Sequence, residues 1–331
     1  MKHILMLATG GTIASKETGQ GLAPAITSQE ILGYVPAIGE LCQVETVQLM
    51  NLDSSNLGPR HWLQIARAIE EHYDQYDGFV VTHGTDTMAY TAAALSYLIQ
   101  FSPKPIVLTG SQKSICLENT DARMNLYNAF LYAASEGSRG VSLVFDGKVI
   151  LGTRARKERT KSFNAFSSVD YPEIGVIRDG RLIRYLPALD AKESPDFYHT
   201  LEDRVLLLTL IPGMGTEALA ALEDSYQAVI LQSFGVGGLP GGGSGPFAQA
   251  VERWLQAGKT IVMLTQVPYE GSDMAVYQVG YQVKEKYRLL EGYNMTLEAA
   301  VTKLMWVLGR TRDPEQVEAL FYRPVQWDII R

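Results

Sequence analysis

The first half of the chain alternates short apolar runs with longer amphipathic stretches, and this alternation restricts the fold more than any other feature. Short runs that are apolar throughout predict strands buried on both faces of a parallel sheet, and the amphipathic stretches predict helices that cover it. The pattern predicts strands at residues 2–8, 78–82, 105–109 and 141–145, and helices at residues 59–76, 86–100 and 119–136. Thr85 or Asp86 suits the N-cap of the second helix. The first half is therefore expected to be a wound α/β domain.

The pattern changes after Phe145, where Asp146-Gly147 marks a tight turn and short β-rich segments follow as far as residue 185. Residues 186–203 contain prolines and acidic residues without clear periodicity, which predicts an interdomain linker. Alternating strands and helices resume from residue 204. The expected architecture is a larger N-terminal wound parallel-sheet α/β domain at residues 1–185, the linker, and a smaller C-terminal α/β domain at residues 204–331.

Composition narrows the class of ligand. The formal net charge is −7 in 331 residues, without a basic stripe, which argues against nucleic acid and anionic membranes as partners and favours a small molecule. The opening MKHILMLATGG is too short in apolar residues for a signal peptide or a membrane helix, so a cytoplasmic protein is expected. Scattered histidines and two distant cysteines, Cys42 and Cys116, support neither a metal site nor a disulfide framework.

Three loops that follow predicted strands contain unusual polar sequences: TGGTIAS at residues 9–15, HGTDTM at residues 83–88 and TGSQ at residues 109–112. Ligands of open parallel sheets bind beyond the carboxyl ends of the strands, so these loops are expected to open onto one face. In the first loop, two glycines present the Thr12 hydroxyl on a bend, which suits a nucleophile beside an oxyanion site. A capping role for Thr12 after a tight turn explains the string about equally well.

The second and third candidate groups also have structural explanations. Thr85 and Asp86 could take part in proton transfer and hold a substrate ammonium, or could simply open a helix. His83 is more typical of a packed structural histidine, so it is not assigned a catalytic role. A threonine nucleophile needs a partner that takes its proton, and Lys157 in GTRARKERTKSF is the candidate, although the charges alone favour a solvated basic loop.

The ordered set of motifs resembles the bacterial L-asparaginase family, most closely its type I, cytoplasmic branch. TGGTIAS and HGTDTMAYTA resemble the two family signatures, and the resemblance extends over nearly the whole chain. Its further segments are MNLDSSN at residues 50–56, TGSQ, the segment around Lys157, SFGVGG at residues 233–238 and KLMWVLG at residues 303–309.

The resemblance implies an enzyme that hydrolyses the side-chain amide of L-asparagine without a cofactor or metal. It implies that Thr12 attacks the amide carbon and is acylated, that Thr85, Asp86 and Lys157 form a second catalytic group, and that Asp86 and Ser54 hold the ammonium and carboxylate of the substrate. Further substrate contacts are expected from Gly11, Asp53, Ser55 and Ser111. The implied assembly is a homo-oligomer, a dimer or tetramer, with the site near a subunit interface.

The loop after Thr12 departs from the family pattern. Many members have a tyrosine there, whereas SKETGQGLAPA at residues 15–25 has none. Gly19 and Gly21 could let this loop act as a lid. Two other functions share parts of the pattern: the asparaginase-like subunit of a tRNA-dependent amidotransferase, which normally has an additional N-terminal domain, and an amino-acid-binding module without catalysis. A nucleotide-binding function is disfavoured because neither GxGxxG nor GxxxxGK[ST] occurs.

Overall fold

The structure is a computed structural model that describes residues 1–18, 21–242, 245–276, 281, 286, 287 and 289–330. Its chain contacts divide it into two compact units, Met1–His199 and Thr200–Arg331. Both units are built on parallel strands, and the larger one precedes the smaller one, which confirms the predicted fold class.

The first unit is organised by an eight-stranded mixed sheet with the order β13-β12-β9-β8-β7-β5-β1-β4. Five neighbouring strands of this order, β8, β7, β5, β1 and β4, run parallel to one another. The strands β9, β12 and β13 extend the sheet beyond β8 in antiparallel pairs. The strand bounds are β1 His3–Gly10, β4 Gln43–Leu52, β5 Gly78–Thr82, β7 Pro105–Thr109, β8 Gly140–Phe145, β9 Lys148–Leu151, β12 Gly175–Arg178 and β13 Arg181–Arg184.

Burial explains why the central strands were predictable and the edge strand was not. Every residue of β5, β7 and β8 is buried, as expected for strands covered on both faces. The edge strand β4, QVETVQLMNL, alternates exposed and half-buried residues and was not predicted. Asp146 and Gly147 both have positive φ, at 50° and 73°, and form the tight turn predicted between β8 and β9.

Helices cover this sheet: α1 Ser28–Gly33, α2 Pro59–Glu71, α3 Met88–Leu98 and α4 Ala122–Ala134. The last three lie within the predicted helical segments. The predicted cap of α3 is wrong, because the helix begins at Met88 with Thr87 in the N-cap position. Thr85 is instead hydrogen-bonded to other side chains, and the Thr87 hydroxyl donates to the Ser54 carbonyl oxygen at 2.7 Å.

Three small antiparallel pairs complete the first unit: β2 Ser15–Thr18 with β3 Gly21–Pro24, β10 Ala155–Lys157 with β11 Phe166–Ser168, and β6 Ile99–Gln100 with β14 Asp196–Phe197. The β2–β3 hairpin begins at Ser15, directly after the short turn that contains Thr12. Gly19, one of the two glycines of the expected lid, lies outside the described residues. The β10–β11 pair places Lys157 opposite Phe166.

The second unit contains a parallel sheet with the order β15-β16-β17-β18. Its core includes Leu231, Trp254 and Met263, all of them fully buried. Its elements are β15 Val205–Thr209, α5 Glu217–Leu222, β16 Ala228–Ser233, α6 Pro246–Gln256, β17 Thr260–Thr265, β18 Leu290–Glu291, α7 Leu297–Leu308 and α8 Pro314–Tyr322. None of the helices in the described parts of either unit is long and apolar enough to span a membrane.

Candidate active site

The predicted loops come together at the carboxyl ends of adjacent parallel strands. β1 lies between β4 and β5, and β7 lies on the other side of β5. The sequences that follow these four strands begin at Gly11, Asp53, His83 and Gly110. This arrangement confirms that the loops share one edge of the sheet, where ligands of open α/β sheets bind.

Glycines allow the first three loops to touch. Gly11 has a φ of 79°, and a Cβ atom on it would lie 2.4 Å from the Cα atom of Gly84. A Cβ atom on Gly84 would lie 2.6 Å from the Ser54 hydroxyl oxygen. Carbon atoms in ordinary contact are about 3.5–4.0 Å apart, so only glycine fits at either position without movement. The segments that contain Thr12 and Thr85 are therefore in direct backbone contact, and the Ser54 side chain packs against the Gly84 backbone.

Thr12 opens a short 3-10 turn, Thr12–Ala14, directly after β1. The next two residues, Ile13 and Ala14, are buried and anchor the turn, whereas Thr12 itself is half-buried. Within the ranges that the structure describes, no hydrogen bond engages the Thr12 hydroxyl. The amide of Gly11, one of the two glycines before Thr12, donates to the Leu52 carbonyl oxygen at 2.9 Å and so is not directed at a ligand.

A lysine, a threonine and an aspartate form the second group. The Lys157 ammonium donates to the Thr85 hydroxyl oxygen at 2.8 Å and to an Asp86 carboxylate oxygen at 2.6 Å. The Thr85 residue is 5% exposed and the Lys157 side chain 15%, but the Asp86 side chain is 66% exposed. Lys157 is thus the cation of its basic segment that contacts Thr85 and Asp86, whereas Arg154 is fully buried beside Tyr171. Much of the Asp86 carboxylate remains free to accept from a ligand.

Gln112 was missed as a site residue, although TGSQ was recognised as one of the loops. Its side-chain oxygen accepts from the Thr85 hydroxyl at 3.1 Å, and its side-chain nitrogen donates to the Arg159 and Ser162 carbonyl oxygens, each at 3.2 Å. A glutamine after a strand end, in a loop already expected to face the site, was the available signal.

The segment after β4 is held by its own hydrogen bonds. The exposed Asp53 carboxylate accepts from the Ser55 amide at 2.8 Å and from the Ser55 hydroxyl at 2.7 Å. Both bonds lower the pKa of Asp53, and the bond from the Ser55 hydroxyl has the larger effect. Ser54 is buried against Gly84. Ser54 therefore lies closest to the neighbouring loop, while Asp53 and Ser55 bond each other.

Ser111 and His83 are both fully buried. The Ser111 hydroxyl donates to the Lys113 carbonyl oxygen at 2.5 Å, within its own loop. His83 Nδ1 lies 2.7 Å from the Gly84 carbonyl oxygen, which can only accept, so Nδ1 carries the hydrogen and Nε2 accepts from the Thr91 hydroxyl at 2.8 Å. Burial lowers the pKa of His83 to about 4. The histidine is neutral near pH 7 and structural, as the sequence suggested.

The described ranges contain no group of three His, Cys, Asp or Glu side chains that could hold a metal ion. A cavity of about 440 Å³ lies in the second unit beside Ile261 and Tyr287. None of the residues that line it belongs to the loops described above.

The sequence matches family models along most of its length. Residues 3–188 match the model described as "Asparaginase, N-terminal", and residues 204–321 match the "Glutaminase/Asparaginase C-terminal domain". The chain belongs to the asparaginase family. The family expected from the motifs is thereby confirmed, together with the expectation of an enzyme of the asparaginase type.

Individual members of the family are similar over the full chain. An L-asparaginase from Thermococcus kodakarensis is 39% identical over 98% of this chain and 98% of its own. A solved structure titled "The thermostable L-asparaginase from Thermococcus kodakarensis" superposes with a TM-score of 0.92 at 36% identity, over 99% of each chain. A "Probable Cytoplasmic L-asparaginase" structure from Campylobacter jejuni gives 0.85 at 27% identity, over 98% and 100%.

Another kind of asparaginase relative also matches. A subunit of the Glutamyl-tRNA(Gln) amidotransferase of Pyrococcus abyssi is 33% identical over 97% of this chain, but the match covers 75% of that protein. Family membership alone therefore does not distinguish an enzyme that acts on a free amino acid from a component of an amidotransferase.

Proposed function

We propose that the protein hydrolyses the side-chain amide of L-asparagine to L-aspartate and ammonia through an acyl-enzyme on Thr12. The observation that carries this proposal is the contact of Lys157 with both Thr85 and Asp86, at the sheet edge where Thr12 also lies. The family relatives that are named L-asparaginases support the same reaction.

In the proposed mechanism the Thr12 oxygen attacks the amide carbon, ammonia leaves, and water then releases aspartate from the threonyl ester. A threonine hydroxyl is a weak nucleophile and needs a group that accepts its proton. The residues after Thr12 include no tyrosine before residue 34, so we assign this role to Thr85, held by Lys157. The Thr85 oxygen accepts the hydrogen bond of the Thr12 hydroxyl, and the Thr12 proton passes to the amide nitrogen, which leaves as ammonia. The low exposure of Thr85 and Lys157 strengthens their electrostatic interaction.

Asparagine also presents an ammonium and a carboxylate. We propose that the exposed Asp86 carboxylate accepts from the ammonium, and that Ser54 donates to the carboxylate. Asp53, Ser55, Gly11 and Ser111 would shape the surrounding pocket, since their polar groups already have partners within the loops.

The test is ammonia release from asparagine and from glutamine by the wild type and two variants. Thr12→Ala is expected to lose at least about 1,000-fold in kcat, since removal of a nucleophile abolishes the covalent route. Lys157→Met loses two charge-assisted hydrogen bonds, each about 1.5–3 kcal/mol, and is expected to lose about 100-fold or more. Lys161→Met, an exposed lysine of the same segment, is the matched control and should retain wild-type activity.

The results separate the alternatives. A folded wild type that releases ammonia from neither amide would refute the hydrolase proposal and favour a protein that needs a partner or a binding module. If Thr12→Ala retained most of the activity, the nucleophile assignment would be wrong although the reaction would stand.

We also propose that the protein acts in the cytoplasm as a homo-oligomer. The relative titled as cytoplasmic supports the location. Loops after β15, β16 and β17 expose apolar side chains, with Ile211 62%, Phe234 41% and Val267 47% exposed. Apolar side chains concentrated at one sheet edge are typical of a protein contact. Analytical ultracentrifugation tests the proposed oligomer, and a fully active monomer would contradict it.

A further inference from the structure

Gln112 connects two parts of the candidate site that come from distant segments. Its side-chain oxygen accepts from Thr85, which follows β5, and its side-chain nitrogen donates to the Arg159 and Ser162 carbonyls, which follow Lys157. The glutamine thus lies between the Thr85 hydroxyl and the segment that delivers the Lys157 ammonium.

The carbonyl groups of Arg159 and Ser162 determine the orientation of the Gln112 side-chain amide. A backbone carbonyl oxygen can only accept a hydrogen bond, so the NH₂ group must face Arg159 and Ser162 and the oxygen must face Thr85. Because an amide oxygen can only accept, the Thr85 hydroxyl hydrogen must point toward Gln112. One oxygen lone pair of Thr85 then accepts from Lys157 at 2.8 Å, and a second remains.

The backbone of Gln112 is fixed as firmly as its side chain. The Asp121 carboxylate accepts from the Gln112 amide at 2.9 Å and from the Lys113 amide at 3.1 Å. The Asn125 side chain on α4 donates to the same carboxylate at 3.1 Å and to the Gly110 carbonyl oxygen at 3.0 Å. The loop is therefore tied to the start of α4, which limits the freedom of Gln112 to turn its amide.

We propose that Gln112 is a positioning residue that sets the polarity of the Thr85 hydroxyl. It holds the hydroxyl hydrogen away from Lys157, so that Thr85 meets Lys157 and a reacting group as a hydrogen-bond acceptor rather than as a donor. This inference rests on the proposed function, because it concerns how the Lys157 group is arranged for the reaction.

Two substitutions separate this role from loop anchoring. Gln112→Met has a similar length but neither accepts from Thr85 nor donates to the carbonyls. Gln112→Glu, ionised at pH 8, still accepts from Thr85 but places a carboxylate against the two carbonyl oxygens. We expect Gln112→Met to lose about 10- to 100-fold in kcat with a small change in KM, as for a misplaced catalytic group. Gln112→Glu should have a higher kcat than Gln112→Met, because it still accepts from Thr85. It should melt at a lower temperature than Gln112→Met, because its carboxylate faces the two carbonyl oxygens.

The proposal is supported if Gln112→Glu has the higher kcat of the two variants and Gln112→Met has the higher melting temperature. If kcat instead followed melting temperature, with Gln112→Glu the poorer enzyme, the glutamine would serve only to anchor the loop. Lys113→Met is the control, since the Lys113 ammonium lies 5.6 Å from the centre of the Phe163 ring and this contact braces the same loop without reaching Thr85. An equal loss of kcat in Lys113→Met, or wild-type kcat in Gln112→Met, would overturn the proposal. An inactive wild type would instead refute the proposed function, and this inference with it.

Discussion

Replacing Gly84 with alanine tests whether the contact between the strand-end loops sets the geometry of the site. A methyl group at Gly84 would lie 2.6 Å from the Ser54 hydroxyl oxygen, 2.7 Å from the Ser54 Cβ atom and 3.2 Å from the Gly11 Cα atom. Ordinary contact requires about 3.5–4.0 Å between carbon atoms, so Ser54 must move by about 1 Å. Its backbone is held by the Thr87 hydroxyl, so the movement cannot be absorbed freely.

Two magnitudes follow from this displacement. Overpacking a well-packed contact costs about 1–3 kcal/mol in the free energy of unfolding, which corresponds to roughly 2–4 °C of melting temperature per kcal/mol in a domain of this size. A displacement of about 1 Å at a binding group can cost about 100-fold in rate. Because Ser54 is proposed to bind the substrate carboxylate, we expect most of the loss in kcat/KM to appear as a higher KM.

The assay is steady-state ammonia release combined with thermal denaturation. Gly39→Ala is the matched control, since a Cβ atom there would have no heavy atom within 4 Å. It should leave both the kinetics and the melting temperature close to those of the wild type. If Gly84→Ala were folded with the wild-type KM, either Ser54 does not bind the substrate or the loops separate without consequence, and the reasoning would fail.

The remaining predictions concern stability. Lys303 and Asp328 form a fully buried ion pair at 2.6 Å, so Lys303→Met leaves the Asp328 charge buried and should destabilise the second unit by about 3–5 kcal/mol, measured by chemical denaturation. Adding Asp328→Asn should restore part of this loss. A Lys303→Met variant as stable as the wild type would contradict the prediction. Burial lowers the pKa of His83 from 6.5 to about 4. Between these two pH values the histidine is protonated in the unfolded chain but neutral in the folded chain. Stability should therefore fall by roughly 3 kcal/mol at most as the pH falls from 6.5 to 4, and His83→Gln should show a smaller fall over this window.

The buried strands and most of the helices could be predicted because their sequence patterns are local. β5 and β7 lie at the predicted residues, since a run that is apolar throughout has few alternatives to a buried strand. β4 was missed because an edge strand carries polar residues on its exposed positions. Its position matters for the site, because it delivers Asp53 and Ser54 beside the end of β1.

The residues of the site were predictable only in part, and the limit is physical. Residue types suggested Thr12, Thr85 and Asp86 from their loops, but five cations lie between residues 154 and 161, and spacing could not show which of them contacts Thr85 and Asp86. That choice depends on the pairing of Lys157 with Phe166 and on contacts with residues some 70 positions away. Such long-range contacts leave no periodic pattern in a sequence.

The separate origin of Lys157 determines how the site can be tuned. Thr12, Ser54 and Thr85 follow strands of one sheet and are pressed together by glycines, so a change in their spacing must strain the core of the first unit. Lys157 instead comes from a two-stranded pair, and its segment is tied to Thr85 through Gln112. Substitutions in that segment can therefore alter the Lys157 group while the sheet stays intact. We accordingly expect variants of Lys157 to change kcat with little change in melting temperature, whereas variants at Gly11 or Gly84 should lower both kcat/KM and the melting temperature.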